Sequence, residues 1–182
     1  MKIKPTLLFK TQWISVYKNE KNFFYCQRKG INSIAALLFR KNENNEVEFM
    51  IHYQPMPEVE FKKSWDQPYP CTITGSFEDG DTAEETVIKE VAEEGGFIIN
   101  KNHIVSSNIN ASSTQMNEMV FNYLIDVTNL KQGVPTTDGS IFEQVAFNKW
   151  VDKKEIEKII VEELSLSSLA NCYLMYLIKY GN

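Results

Sequence analysis

Residues 75–97, GSFEDGDTAEETVIKEVAEEGGF, decide how the rest of the chain is read. Thr82, followed three residues later by Glu85, is a capping-box pair that starts a helix. Val87, Ile88 and Val91 form an apolar arc that anchors this helix to a core. Glu90, Glu93 and Glu94 lie beside that arc, spread over about 100° of the helix circumference. Gly95 and Gly96 end the helix, Gly96 by permitting a left-handed exit. Taken alone, the glutamate spacing reads first as a solvated acidic face. The flanking residues change that reading, because cap, anchor and exit hold three mutually repelling charges at one place. Clustered carboxylate oxygens held this way are what a hard divalent ion such as Mg²⁺ requires.

The same residues resemble a Nudix box: glycine, five residues, an acid, seven residues, then base-Glu-apolar-x-Glu-Glu-x-Gly-apolar. Gly75, Asp81, Lys89, Glu90, Val91, Glu93, Glu94, Gly96 and Phe97 keep every spacing of that pattern. Two positions depart from it, Asp81 for the usual Glu and Lys89 for the usual Arg. Lysine offers a point charge where arginine grips a carboxylate with two parallel hydrogen bonds, so a weaker clamp on the glutamates is expected.

The 182 residues suit one domain with a substantial core, and 43% hydrophobic content is that of a globular chain. No apolar run is long enough to span a bilayer, and MKIKPTLLFK lacks the h-region of a signal peptide. A cytoplasmic protein with no membrane partner is expected. Three cysteines without metal-ligand spacing read as reduced thiols, and two histidines far apart in sequence argue against a zinc site. A net charge of −5 argues against nucleic-acid binding, which relies on basic residues to neutralise phosphates.

Alternating residues predict strands over 12–18 and 23–28, paired across a turn at 19–22; 33–39 reads as a buried strand and 47–53 as the next strand. Pro55, Pro57, Pro68 and Pro70 mark a loop running to the box. Strands follow over 118–127 and 144–151, separated by a Gly/Pro-bearing loop at 132–140. Asp152 caps a helix to about residue 160, and 164–179 has helical apolar spacing. This is an α+β pattern. The Nudix resemblance implies an α/β/α sandwich on a mixed sheet, with residues 1–30 as an N-terminal strand extension and 31–182 as the hydrolase domain.

The extension resembles that of ADP-ribose pyrophosphatases and related nucleoside-diphosphosugar hydrolases, where it packs on a partner subunit. A homodimer is therefore implied, as is a nucleotide-type small-molecule substrate. The run Phe49 to Pro55, containing Gln54, resembles that subgroup's strand without its arginine, and 112–118 keeps the Asn117–Glu118 pair while lacking the expected proline. The resemblance implies Mg²⁺, or Mn²⁺ in its place, held by Glu90, Glu93, Glu94 and the Gly75 carbonyl. Glu93 and Lys89 serve the chemistry as well. Glu143 is the first candidate for the general base that takes a proton from the attacking water, before Asp138 and Glu118. Arg28, one of only two arginines, and Trp13, Gln54 and Glu118 are the candidate substrate contacts. The implied reaction splits the pyrophosphate of a nucleoside diphosphosugar such as ADP-ribose. Two alternatives stay open. One is the same chemistry on GDP-sugars, dinucleoside polyphosphates or oxidised nucleotides; the other is a nucleotide-sensing domain with little turnover.

Overall fold

The apolar run at 33–39 forms the middle of a sheet, and the two helical layers follow from its alternation. The structure is a computed structural model that describes residues 4–56, 58–78, 80–136, 139, 141 and 143–181. Its strands are β1 (Thr6–Lys10), β2 (Ile14–Lys18), β3 (Phe24–Arg28), β4 (Ser33–Lys41), β5 (Val47–Pro55), β6 (Pro68–Cys71), β7 (Ile73–Ser76), β8 (Ile104–Ala111), β9 (Met119–Asp126) and β10 (Phe147–Asp152). The helices are α1 (Ala83–Glu93), α2 (Lys153–Glu162) and α3 (Ser167–Tyr180). The expected α+β class and mixed sheet are what the chain adopts.

Strands β10-β5-β4-β9-β8 run side by side, with β6 paired to β5 and β7 to β4. The β4–β9 pair is parallel and the remaining pairs antiparallel. Both faces of β4 are buried, which explains its unbroken apolar run. Leu37, Phe39, Phe49, Ile51 and Leu124 pack under α2 and α3; Ile34, Ala36, Leu38, Met50 and Ile125 pack under α1. No described helix is long and apolar enough to cross a membrane. The three cysteines are free thiols.

The box helix begins and ends as expected. Thr82 and Glu85 form the full capping box, and Gly96 takes φ +74°. Asp152 caps α2 through the amide of Glu155. Other expectations need correction. The proline-marked segment ahead of the box is partly strand, because β6 and β7 fill the gap where β4 and β5 diverge. Proline is tolerated in β6 because that strand pairs on one side only. Strand β10 starts later than expected, since Glu143–Val145 is a short 3-10 turn. Strands β1 and β8 had no alternating signal; β8 is an edge strand rich in Ser and Asn.

Strands β1–β3 make a separate three-stranded sheet. It is tied to the main body at Cys26, whose amide donates to the Gln115 carbonyl at 2.7 Å and whose carbonyl accepts from Asn117 N at 3.2 Å.

Candidate active site

Register decides which side chains meet. Ile34 lies opposite Gly75 and Ala36 opposite Ile73, so Gly75 shares the α1 face of the sheet. The Glu90 side chain folds down onto it. A β-carbon built on Gly75 would stand 2.0 Å from Glu90 Oε1 and 2.2 Å from its carboxyl carbon. Only glycine lets that carboxylate approach the β7 backbone at this position. The donor set here is carboxylate plus backbone oxygen, the chemistry a divalent cation takes. Among the described residues, no three His, Cys, Asp or Glu side chains are spaced to grip one ion as they stand.

Glu94, the C-cap of α1, is buried at 7% exposure. Its Oε2 accepts from the Thr74 amide at 3.4 Å and faces His52 Nε2 at 3.8 Å. Thr74 in turn accepts from Gln54 Nε2 at 3.1 Å, so Gln54 braces the strand that positions Glu94. Glu93 is held by its backbone: its carbonyl accepts from the Thr136 amide at 2.9 Å. Gly133 N donates to Gly96 O at 2.7 Å, where a side chain at Gly96 would clash with Gly133. These contacts fasten the 132–136 segment to the end of the box helix.

A cavity of about 280 Å³ opens there, lined by His52, Glu94, Gln132, Glu143, Phe147 and Asn148. The structure thus brings Glu143 and Glu94 to one space. Asp138 lies outside the described residues. Glu118 is elsewhere: it accepts from Ser33 Oγ at 2.7 Å and faces Arg28 Nε at 3.2 Å, close enough to pair as ions though off the angle of a hydrogen bond. Arg28 also donates from Nη2 to Ser76 Oγ at 2.9 Å. Arg28 and Glu118 therefore join the N-terminal sheet to the residue after Gly75. Trp13 lies in the bend between β1 and β2, 65% exposed, with the Lys29 ammonium 5.6 Å from its ring centre.

Lys89 makes its hydrogen-bonded ion pair with Glu78 at 2.7 Å. That contact, with the charges of Glu93 and Glu90 behind it, raises the lysine pKa above its ordinary value. The same pair holds Glu78 below the usual carboxylate range. Lysine here clamps the box loop, and reaches the helix carboxylates by charge alone.

The sequence reading had no role for His52 or Asn148. Asn148 is paired directly across from His52 in the β5–β10 register, on the same face. Its Oδ1 accepts from His52 Nδ1 at 2.8 Å, and its Nδ2 donates to the Glu94 carbonyl at 2.6 Å. Burial pushes the imidazole pKa below its ordinary value, against the opposing effect of the Asn148 bond. The available signal was a histidine two residues after Met50, at the end of the apolar run 49–51.

No protein-family profile and no curated protein matches the chain. Among solved structures it is similar to a C. elegans Ap4A hydrolase binary complex, at 15% identity and a TM-score of 0.47, over 82% of this chain and 98% of that one. The likeness is too slight to carry chemistry from one chain to the other.

Proposed function

We propose that this chain is a Nudix-type, divalent-cation-dependent hydrolase of the pyrophosphate bond in a nucleoside diphosphate joined to a sugar or similar group, ADP-ribose among them. The products are a nucleoside monophosphate and a sugar phosphate. The observation that carries this reading is the seat of Glu90 on Gly75, a contact between two positions of the box that only glycine permits. Glu90, Glu93, Glu94 and the Gly75 carbonyl are the groups that would hold Mg²⁺ or Mn²⁺. When bound, such an ion supplies positive charge against the pyrophosphate and Lewis acidity toward water.

The chain's own residues supply the rest. Glu143, on the wall of the cavity it shares with Glu94, accepts the proton of the attacking water. The water oxygen bonds to phosphorus as the bridging P–O bond breaks, and the bridging oxygen leaves with the sugar phosphate. Gln54 keeps β7 in place through Thr74. Lys89 holds the box loop through Glu78. Arg28, at the end of β3 and held by Ser76 and Glu118, is the candidate substrate contact from the N-terminal sheet.

A second substrate reading draws on the 112–118 loop, which lacks proline and is pinned to β3 through Cys26. It favours GDP-sugars, dinucleoside polyphosphates or oxidised nucleotides over ADP-ribose. We also read the chain as a homodimer through β1–β3, where Phe9, Trp13 and Phe24 are each more than half exposed. Sedimentation at micromolar concentration tests this, and a monomer removes it.

The deciding experiment measures phosphate release in Mg²⁺ with a phosphatase added to reveal monoesters. The panel holds ADP-ribose, ADP-glucose, GDP-mannose, a diadenosine polyphosphate and the nucleoside triphosphates. Turnover of one compound, lost with EDTA and lost by about a hundredfold or more in Glu90→Gln, is expected. Binding of a nucleotide with no turnover in Mg²⁺ or Mn²⁺ would replace the hydrolase with a sensing domain.

A further inference from the structure

The His52 ring is 3% exposed, and its two nitrogens are in opposite situations. Nδ1 meets the Asn148 carbonyl oxygen, whose orientation is set because the same amide donates Nδ2 to the Glu94 carbonyl. Nδ1 is therefore the protonated nitrogen, and Nε2 presents a lone pair. That lone pair is buried with no hydrogen-bond partner, and it faces Glu94 Oε2 at 3.8 Å. An acceptor buried against a carboxylate is unfavourable unless something positive or protic joins them. Both groups open on the same cavity.

The separation identifies the chemistry. Two ligands each about 2.1 Å from one ion stand roughly 3.0 Å apart at a right angle and about 4.2 Å apart in line. The observed 3.8 Å falls inside that range. Neutral imidazole nitrogen with a carboxylate oxygen suits first-row transition ions, whereas Mg²⁺ prefers oxygen alone. The Asn148 bond to Nδ1 is the outer-shell contact that fixes the tautomer and ring of a ligating histidine.

We propose that His52 Nε2 and Glu94 together bind a transition-metal ion of the Mn²⁺ or Co²⁺ class, so that the candidate active site is a mixed nitrogen–oxygen centre. This rests on reading Glu94 as a metal ligand, and it adds a ligand that the box itself does not contain. Substrate oxygens and water take the remaining positions.

Electron spin-echo spectroscopy of the Mn²⁺-loaded protein tests it, because the echo is modulated by a directly bound nitrogen. The chain has only two histidines, so assignment is simple. The expected result is ¹⁴N modulation in the native protein, kept in His103→Gln. It should change to the ¹⁵N pattern when His103→Gln is grown on ¹⁵N-histidine, which identifies His52 without altering it. In His52→Gln the modulation should vanish and Mn²⁺ affinity fall by about tenfold or more. Bound Mn²⁺ without nitrogen modulation means a water bridges the two side chains, and overturns the inference while leaving the hydrolase reading intact. Failure of the native protein to bind Mn²⁺ or Mg²⁺ at all overturns both.

Discussion

The two faces of the large sheet are built from the same alternating strands and end in opposite chemistry. Under α2 and α3 the packing is apolar and aromatic: the Phe49 ring stands edge-on to Tyr173 and Tyr176, with centroids 5.3 and 4.7 Å away. Under α1 the packing is aliphatic along Val87 and Val91, then gives way at the helix end to Glu94, His52 and Asn148. One face is closed by interlocking rings. The other carries buried polar groups that a core would not include without a use for them. Stability and chemistry are thus divided between the two faces of one sheet.

Phe49→Ala should produce the largest effect, a loss of about 3–5 kcal/mol in denaturant unfolding, because it empties the centre of the aromatic face. Folded Phe49→Ala protein should keep its turnover and Mn²⁺ affinity. If turnover drops with stability, the two faces are not independent. Gly75→Ala should do the reverse. Its methyl group displaces the Glu90 carboxylate, so turnover falls by about a hundredfold. Stability should change by less than about 1 kcal/mol, since a flexible side chain can move aside. Equal loss on both measurements would mean that Gly75 serves the fold.

A titration sharpens the contrast further. Burial pushes the Cys172 thiol, on the α3 face, up to about 12. The folded state keeps its proton above the ordinary thiol range while the unfolded chain loses it. Stability is then full below that range and declines as pH rises through it, by at most about 1.4 kcal/mol per pH unit. Unfolding curves between pH 8 and 10 should be flatter in Cys172→Ala, and identical slopes would exclude the effect. Thr82→Ala should cost about 1 kcal/mol, by removing the cap of α1. Turnover should survive it, because Gly95, Gly96 and the 132–136 segment hold the other end of the helix; a large loss of turnover would make the cap part of the site.

Much of this division was legible in advance. Thr82, Glu85 and Gly96 announce the limits of α1 because caps and left-handed exits depend on neighbours in the chain. The run from Ser33 to Phe39 announces a strand buried on both faces. The missed strands share a cause. β8 presents Ser106, Ser107, Asn108 and Asn110 at an edge, and β6 contains two prolines, so both owe their conformation to the strand beside them. The site divides in the same way. Glu90, Glu93 and Glu94 are readable from spacing, whereas the pairing of Lys89 with Glu78 depends on how the loop before the helix folds back along it.

What the sequence determined by itself is the box: a capped helix, its carboxylate face and the glycine beneath it, all within 23 residues whose relations are local. What only the tertiary structure decided is the company those carboxylates keep. His52 and Asn148 are 96 residues apart, and they meet because antiparallel pairing of β5 with β10 puts them opposite each other. Spacing along a chain cannot encode such a meeting, since strand register is set by burial of the whole sheet.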